Sequence, residues 1–505
     1  MNLKKLEKGL EKIYESLLSH SPENNTNLTV DPRYAESAIN LYRYLVLRSM
    51  DIRKIQGYLS ELGISSLGSG AGYTLSNVSN ALMLIKLLRG ISWEKDQNIT
   101  TIGYFGSQKL LQEHVNALFK SNKKAHSTEI MVTMPDEAAD NSELLKDLIQ
   151  SGMNIARINL SHGDVSLWKK MLTNIHAVSE TLEQPVKIYM DLPGPKIRIA
   201  EIFSHNKKDE KWKTKSSLNV LDGDFMYLKK EDNLNTMVLA DNTNELPQIT
   251  VTLSQIIDDL EIGHRVFFDD GAIEAVAVSK TTDKIRILIK KAHKTSLKLD
   301  KGINLPDTSL TLPSLTPDDI ELLPFVSKHA DMLGYSFVRK AADVTQLYNE
   351  LDKLDNTSCG VVFKIENKEA FENLPLILFE AMKNRNIGVM IARGDLAVEV
   401  GFDRISEVQD QILLLCEAAH IPVIWATQVL DNLAKKGIAT RAEISDATIS
   451  GQAECVMLNK GPHITEAVKV LANILKRMSR HKLKKKPILR ALDVAKNSLS
   501  KINEN

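Results

Sequence analysis

Apolar residues in roughly the first 125 positions recur every three or four residues, the spacing of one face of an α-helix. MNLKKLEKGLEKIYESLL, AESAINLYRYLVLRSMDIRKIQGYLSELGI and SNVSNALMLIKLLRGI all show it, so this front part is expected to be wholly helical. The glycine-rich SSLGSGAGYTLS separates two of these runs. Its GSGAG follows a helix rather than a strand and lacks the GK[ST] ending of a phosphate loop, so it reads as an interhelical turn. From about Thr128 the period changes. Short runs of strand type (EIMVTM, NIARINL, VKIYMDL) alternate with amphipathic helical ones (SELLKDLIQSG, SLWKKMLTNIHAVSETL). The alternation stops for about a hundred residues and resumes near Thr316. Five more strands follow, DMLGYSFV, GVVFKIE, IGVMIAR, PVIWATQ and ECVMLN, with helices such as KEAFENLPLILFEAM between them. Eight strands, each with a helix to cover its outer side, predict an α/β fold, a closed (β/α)8 TIM barrel. A doubly wound open sheet competes, but it wants a switch point with a glycine-rich first turn, and none is visible.

The interrupting segment, 197–306, reads as an all-β domain. SSLNVL, FMYLKK, RVFFDD, AIEAVAVSK and KIRILIKKA alternate apolar and polar positions between Asp-Gly and Asn-rich turns. Inserted at the carboxyl end of a barrel strand, such a domain can close over that end as a lid and expel water. The chain therefore divides into an N-terminal all-helical domain (1–125), a barrel (126–196 and 307–480), the inserted lid (197–306) and a basic tail (481–505).

Composition narrows the partners. Lys+Arg and Asp+Glu both total 64, so no global field favours nucleic acid or an anionic membrane, and neither is expected as a partner. The tail run KRMSRHKLKKKPILR reads as the solvated basic end of the last helix. Cys359, Cys416 and Cys455 form no CxxC pair and lie in apolar or helical patterns, against structural zinc and a disulfide-stapled secreted fold. The start lacks the apolar core of a signal peptide, and no apolar run approaches the roughly 20 residues of a spanning helix. A cytoplasmic location is the expectation.

The chemistry concentrates in two strand ends. CGVVFKIEN closes on Lys364 and Glu366, and IGVMIARGD closes on Asp395, so two carboxylates and an amine arrive at the carboxyl ends of neighbouring strands. Such a set can hold a divalent metal against a phosphate where barrel enzymes build their active sites.

SGMNIARINLSHG, MDLPGPKIR, DDGAIEAV, GINLPD, SFVRKAADV, FKIEN, ARGDLAVEV, PVIWATQVL and TRAEISDATISG follow in an order and context that resembles pyruvate kinase, over about residues 127 to 478. The resemblance implies a glycolytic phosphoryl transfer from phosphoenolpyruvate to ADP, giving pyruvate and ATP. It implies Glu366 and Asp395 as ligands of Mg²⁺ or Mn²⁺, and Lys364 against the moving phosphoryl. The N–H groups of Gly394 and Asp395 would receive the pyruvate carboxylate, with Thr427 near the methylene carbon that is protonated. Arg157 would grip phosphate, while Asn159, Ser161, His162, Asp191 and Arg198 would line the nucleotide-phosphate and monovalent-cation region. Many relatives have glutamate where Lys196 stands and require K⁺; lysine there resembles the branch in which an ammonium group replaces that ion.

Three features depart from the family pattern. The first strand ends Thr133-Met134-Pro135-Asp136, and the eighth is followed by Asn459-Lys460-Gly461-Pro462 instead of an acidic and hydroxyl set. The lid's nucleotide lysine has four candidates, Lys229, Lys230, Lys290 and Lys291. The carboxyl-terminal allosteric domain of many members has no counterpart in this sequence. Two further readings therefore stand beside the kinase: a barrel enzyme using phosphoenolpyruvate or a keto acid with another acceptor, and a non-catalytic regulatory homologue. A homo-oligomer, such as a dimer through the barrel or the helical front, is compatible with all three.

Overall fold

The computed structural model describes residues 2–19, 29–93, 99, 101–119, 128–206, 211–230, 246–354, 358–479, 482–483 and 486–487. The strand-type runs form β1 (Glu129–Thr133), β2 (Ile155–Asn159), β3 (Lys187–Asp191), β4 (Met332–Tyr335), β5 (Gly360–Ile365), β6 (Ile387–Ala392), β7 (Val423–Ala426) and β8 (Cys455–Leu458). They close in sequence order, and each pairs parallel with its neighbours, β8 returning to β1. Both faces of every strand are covered, which is why these runs are almost unbroken in apolar residues. Outward side chains pack on the helix ring, while Met131, Ile155, Met332, Val362, Met390, Ile424 and Met457 fill the interior.

The helical front comprises α1 (Leu3–Ser19), α2 (Ala35–Arg48), α3 (Arg53–Glu61), α4 (Thr74–Leu88) and α5 (Tyr104–Phe119). The run AESAINLYRYLVLRSMDIRKIQGYLSELGI is helical in two pieces, α2 and α3, and between them Asp51 accepts hydrogen bonds from the backbone and side chain of Arg53. Leu6, Leu10, Leu17, Leu59, Val78 and Leu82 give these helices a core of their own. α5 does something different. Its Val115, Leu118 and Phe119 join the interior cluster of the barrel. Leu118 lies over Gly360 and Gly388, at or near the amino ends of β5 and β6, where any Cβ would come within 2.6 Å of its methyl groups. α5 is thus the floor of the barrel, at the end opposite the carboxylates.

The glycine-rich turn is a docking point. Asn40 Nδ2 donates to Ala71 O (2.8 Å) and to Ala418 O (2.7 Å). Fully buried His420 has Nε2 2.8 Å from Gly72 O and Nδ1 3.1 Å from Ser37 Oγ. A carbonyl only accepts, so Nε2 carries the proton and Nδ1 receives the serine hydroxyl.

Between β3 and β4 lies an eight-stranded sheet running from Ile199–Asn206 to Ile303–Asn304, with an isoleucine-rich core. It touches the barrel where Gly271 approaches Val398 and Phe402. KEAFENLPLILFEAM, expected as one helix, is two: Lys368–Glu372 and Leu374–Ala381. Pro375 has no N–H for the carbonyl of Phe371, so the helix stops and restarts with proline in its first turn. The tail beyond residue 487 lies outside the described residues. Among the described residues no helix is long and apolar enough to cross a membrane.

Candidate active site

Strands β2, β3 and β5 carry Arg157, Asp191 and Lys364 at or near their carboxyl ends, Glu366 follows β5 directly, and the barrel brings these together. Asp191 is buried and accepts from Arg157 Nε (2.8 Å) and Nη2 (2.5 Å) and from Tyr189 OH (2.9 Å). Arg157 Nη1 also donates to Thr133 Oγ1 at 2.9 Å, which fixes the guanidinium across the ends of β1, β2 and β3. Lys364 Nζ lies 3.4 Å from Asp191, 3.1 Å from Glu366 and 2.7 Å from Ser336 Oγ. Burial works against its charge, yet Asp191 and Glu366 more than compensate and raise its pKa, so it is a permanent cation. Burial disfavours the charge of Asp191, but Lys364 and Arg157 outweigh it and hold its pKa low.

Glu366 is buried, and its Oε2 accepts from the Phe337 N–H at 2.7 Å. Phe337 is left-handed (φ 55°), and Gly194 (φ 67°) packs on Ser336 and Phe337 so tightly that a Cβ would come within 2.9 Å. The way out to the lid is thus seated on the loop that orients Glu366. Burial raises the pKa of Glu366, and Asp395 raises it further against the pull of Lys364.

Asp395 lies in the first turn of helix Arg393–Val400 after β6, and both its oxygens are 3.1 Å from Lys196 Nζ. Asn304, at the end of the lid sheet, places Nδ2 3.5 Å from Asp395 and 3.2 Å from Glu399. Gly394 N–H donates to Thr427 Oγ1 (2.9 Å), and Thr427 is itself left-handed (φ 64°). Arg393 ties this corner by gripping Asp446, donating to Ala426 O at 3.1 Å and stacking 4.7 Å over Trp425.

Arg157, Asn159, Ser161, Lys196, Arg198, Lys364, Glu366, Asp395 and Thr427 line one cavity of about 150 Å³. Asp191 forms the buried support behind it through Arg157 and Lys364. Arg198 also donates to Asp300 O at the root of the lid. His162 is exposed and lines neither this cavity nor its larger neighbour. None of the four lid lysines lines either cavity; Lys229 is buried, and Lys230 pairs with Asp258 at 2.7 Å. The two sequence departures meet one another, Lys460 Nζ standing 3.5 Å from Asp136 across the mouth between β8 and β1. Motif reading passed over Asn304 and Glu399, although Asn304 lies in GINLPD and Glu399 in ARGDLAVEV.

Four acids (Asp191, Glu366, Asp395, Glu399) gather here against three bases (Arg157, Lys196, Lys364). Burial, with Asp395 adding to it against the Asn304 hydrogen bond, pushes Glu399 up to about 7. The folded chain then holds a proton that the unfolded chain releases near pH 4.5, so stability falls as pH rises from about 4.5 to 7. Glu399→Gln is expected to raise stability in EDTA at pH 8 by about 2–3 kcal/mol and to change little at pH 4.5, read by urea unfolding. An equal effect at both pH values would contradict a buried, protonated Glu399. The surplus of hard carboxylate oxygens suits a divalent cation resting on Glu366 and Asp395. Among the described residues no three acidic, histidine or cysteine side chains form a ready cage.

Residues 125–464 match the family model for the pyruvate kinase barrel domain. The chain is similar to pyruvate kinase of Staphylococcus saprophyticus, at 34% identity over 355 residues, 69% of this chain and 56% of that protein. It is 31% identical over 371 residues to that of Bacillus licheniformis, covering 72% of this chain and 59% of the relative. Identity to the Staphylococcus haemolyticus enzyme is 32% over 356 residues, 69% of this chain and 56% of the relative. The chain thus spans between 56% and 59% of the length of these relatives.

Proposed function

This chain belongs to the pyruvate kinase family, and on that premise we propose that it transfers the phosphoryl group of phosphoenolpyruvate to ADP, giving pyruvate and ATP. One observation carries the reading: Lys364, Glu366 and Asp395 face one cavity with Arg157 and Thr427.

Phosphoryl transfer asks the protein to align donor and acceptor and to neutralise moving charge. Glu366 and Asp395 would hold Mg²⁺ or Mn²⁺. When bound, the ion neutralises substrate oxygens and polarises the transferring group. Lys364 presents a fixed positive charge where negative charge develops, and its raised pKa suits it to that role rather than to proton abstraction. Arg157, braced by Asp191 and Thr133, grips the phosphate. The pyruvate carboxylate takes the N–H groups of Gly394 and Asp395, displacing the Thr427 hydroxyl that Gly394 now contacts. Thr427 then stands beside the methylene carbon and positions the water that protonates it. Asn159, Ser161 and Arg198, which line the cavity, serve the nucleotide-phosphate side, while Asp191 acts only from behind through Arg157 and Lys364.

Lys196 supports K⁺ independence, because its ammonium group is carried into the site by the chain itself. Pyruvate formation from phosphoenolpyruvate, Mg²⁺ and ADP is expected to proceed in Na⁺ or Tris buffer as in K⁺. A strict demand for K⁺ removes this assignment.

The Asp136–Lys460 pair on the nucleotide side favours a second reading, a barrel enzyme with another acceptor. Metal-dependent keto-acid turnover without ADP would support it. Calorimetry finding no binding of Mg²⁺ and phosphoenolpyruvate would leave a regulatory homologue.

A further inference from the structure

The geometry points to a second oxyanion site, built on Arg339, in a cleft that adjoins the one just described. The cleft holds about 290 Å³ between the segment returning from the lid (Leu305, Pro306, Ser309) and the loops after β4 and β5 (Phe337, Arg339, Lys368). Glu366, Asp395 and Glu399 form its inner wall, so an occupant reaching inward meets carboxylates and one at the outer end meets Arg339.

The Arg339 side chain is only 8% exposed, and its partner among the described residues is Glu369, with Nε 4.0 Å from the carboxylate. That is beyond hydrogen-bond reach, and no side-chain hydrogen bond of Arg339 occurs among the described residues. Other arginines of the barrel are treated differently. Arg157 is bonded to Asp191 and Thr133, and Arg393 to Asp446 and two carbonyls. The idle donors of this guanidinium face the cleft, and a bidentate oxyanion is the group that fits its planar fork.

Its position is fixed from the backbone. Arg339 N–H donates to Asp343 Oδ2 (2.8 Å), Arg339 O accepts from Asn373 Nδ2 (3.0 Å), and left-handed Phe337 turns the chain just before it. Lys368 lines the same cleft, 46% exposed and 3.8 Å from Glu372, and adds positive charge at that end. The occupant is a small metabolite with one carboxylate or phosphate at Arg339 and an apolar stem along Leu305, Pro306 and Phe337. It touches the lid's return segment and the barrel together, so it would bias lid position. The cleft shares Glu366 and Asp395 with the transfer site, but its oxyanion rests on Arg339 and not on Arg157 and Lys364.

Calorimetric titration of the full chain with malonate and, separately, inorganic phosphate tests this. At least one is expected to bind, and Arg339→Met is expected to weaken that binding tenfold or more while the thermal midpoint shows a folded protein. Loss of malonate binding assigns a carboxylate ligand, and loss of phosphate binding a phosphoryl one. Glu369→Gln removes the carboxylate that faces Arg339 and is expected to tighten binding several-fold. Absence of binding to the wild-type chain, or equal affinity in Arg339→Met, overturns the site. Should Arg339→Met fail to fold, an unchanged affinity in Glu369→Gln overturns it instead. Phosphoenolpyruvate titrated with Mg²⁺ reports on the catalytic reading separately.

Discussion

Lys364→Met is expected to lower ADP-dependent pyruvate formation by about 10³-fold or more while leaving the barrel folded. Methionine keeps most of the volume and removes the charge together with the hydrogen bond to Ser336 Oγ. Arg157 cannot take over, because Asp191 and Thr133 hold its guanidinium in place. The fold should survive because Asp191 retains Arg157 and Tyr189, and Glu366 retains the Phe337 N–H. Losing one of three cations that offset these buried acids should still cost about 1–3 kcal/mol. A coupled assay for kcat together with urea unfolding separates the two effects. Activity within tenfold of the wild type would mean that the phosphoryl charge is met elsewhere.

The second large effect lies at the other end of the barrel. Leu118→Asp is expected to prevent folding, and Leu118→Ala to cost about 2–5 kcal/mol in denaturant unfolding. Leu118 is 1% exposed and sits among inward residues of the barrel, where a carboxylate would have neither water nor a cation. Gly360 and Gly388 admit its methyl groups so closely that the neighbours cannot collapse into the space without moving strand backbone. A loss well below 1 kcal/mol in Leu118→Ala would show that α5 is a tether and not a floor.

The barrel was legible because its period changes are strong: two-sided burial makes each strand a continuous apolar run, and the lid's one-sided strands alternate. Helix breaks were harder to read. Apolar spacing continues through Asp51 and past Pro375, while the breaks are set by a capping carboxylate and a missing N–H. The carboxylates Glu366 and Asp395 could be found because they end apolar runs. Asn304 and Arg339 could not, since their importance depends on which distant loops they face. Gly72 was likewise opaque, for nothing in GSGAG announces that its carbonyl will meet His420, 348 positions away.

The floor has a consequence for how the molecule is made. Synthesis runs from the amino end, so α5 leaves the ribosome before any of the eight strands that surround it. The nascent strands can therefore gather round an apolar template that already exists, whereas a cap encoded after β8 would arrive only once the ring had closed without it.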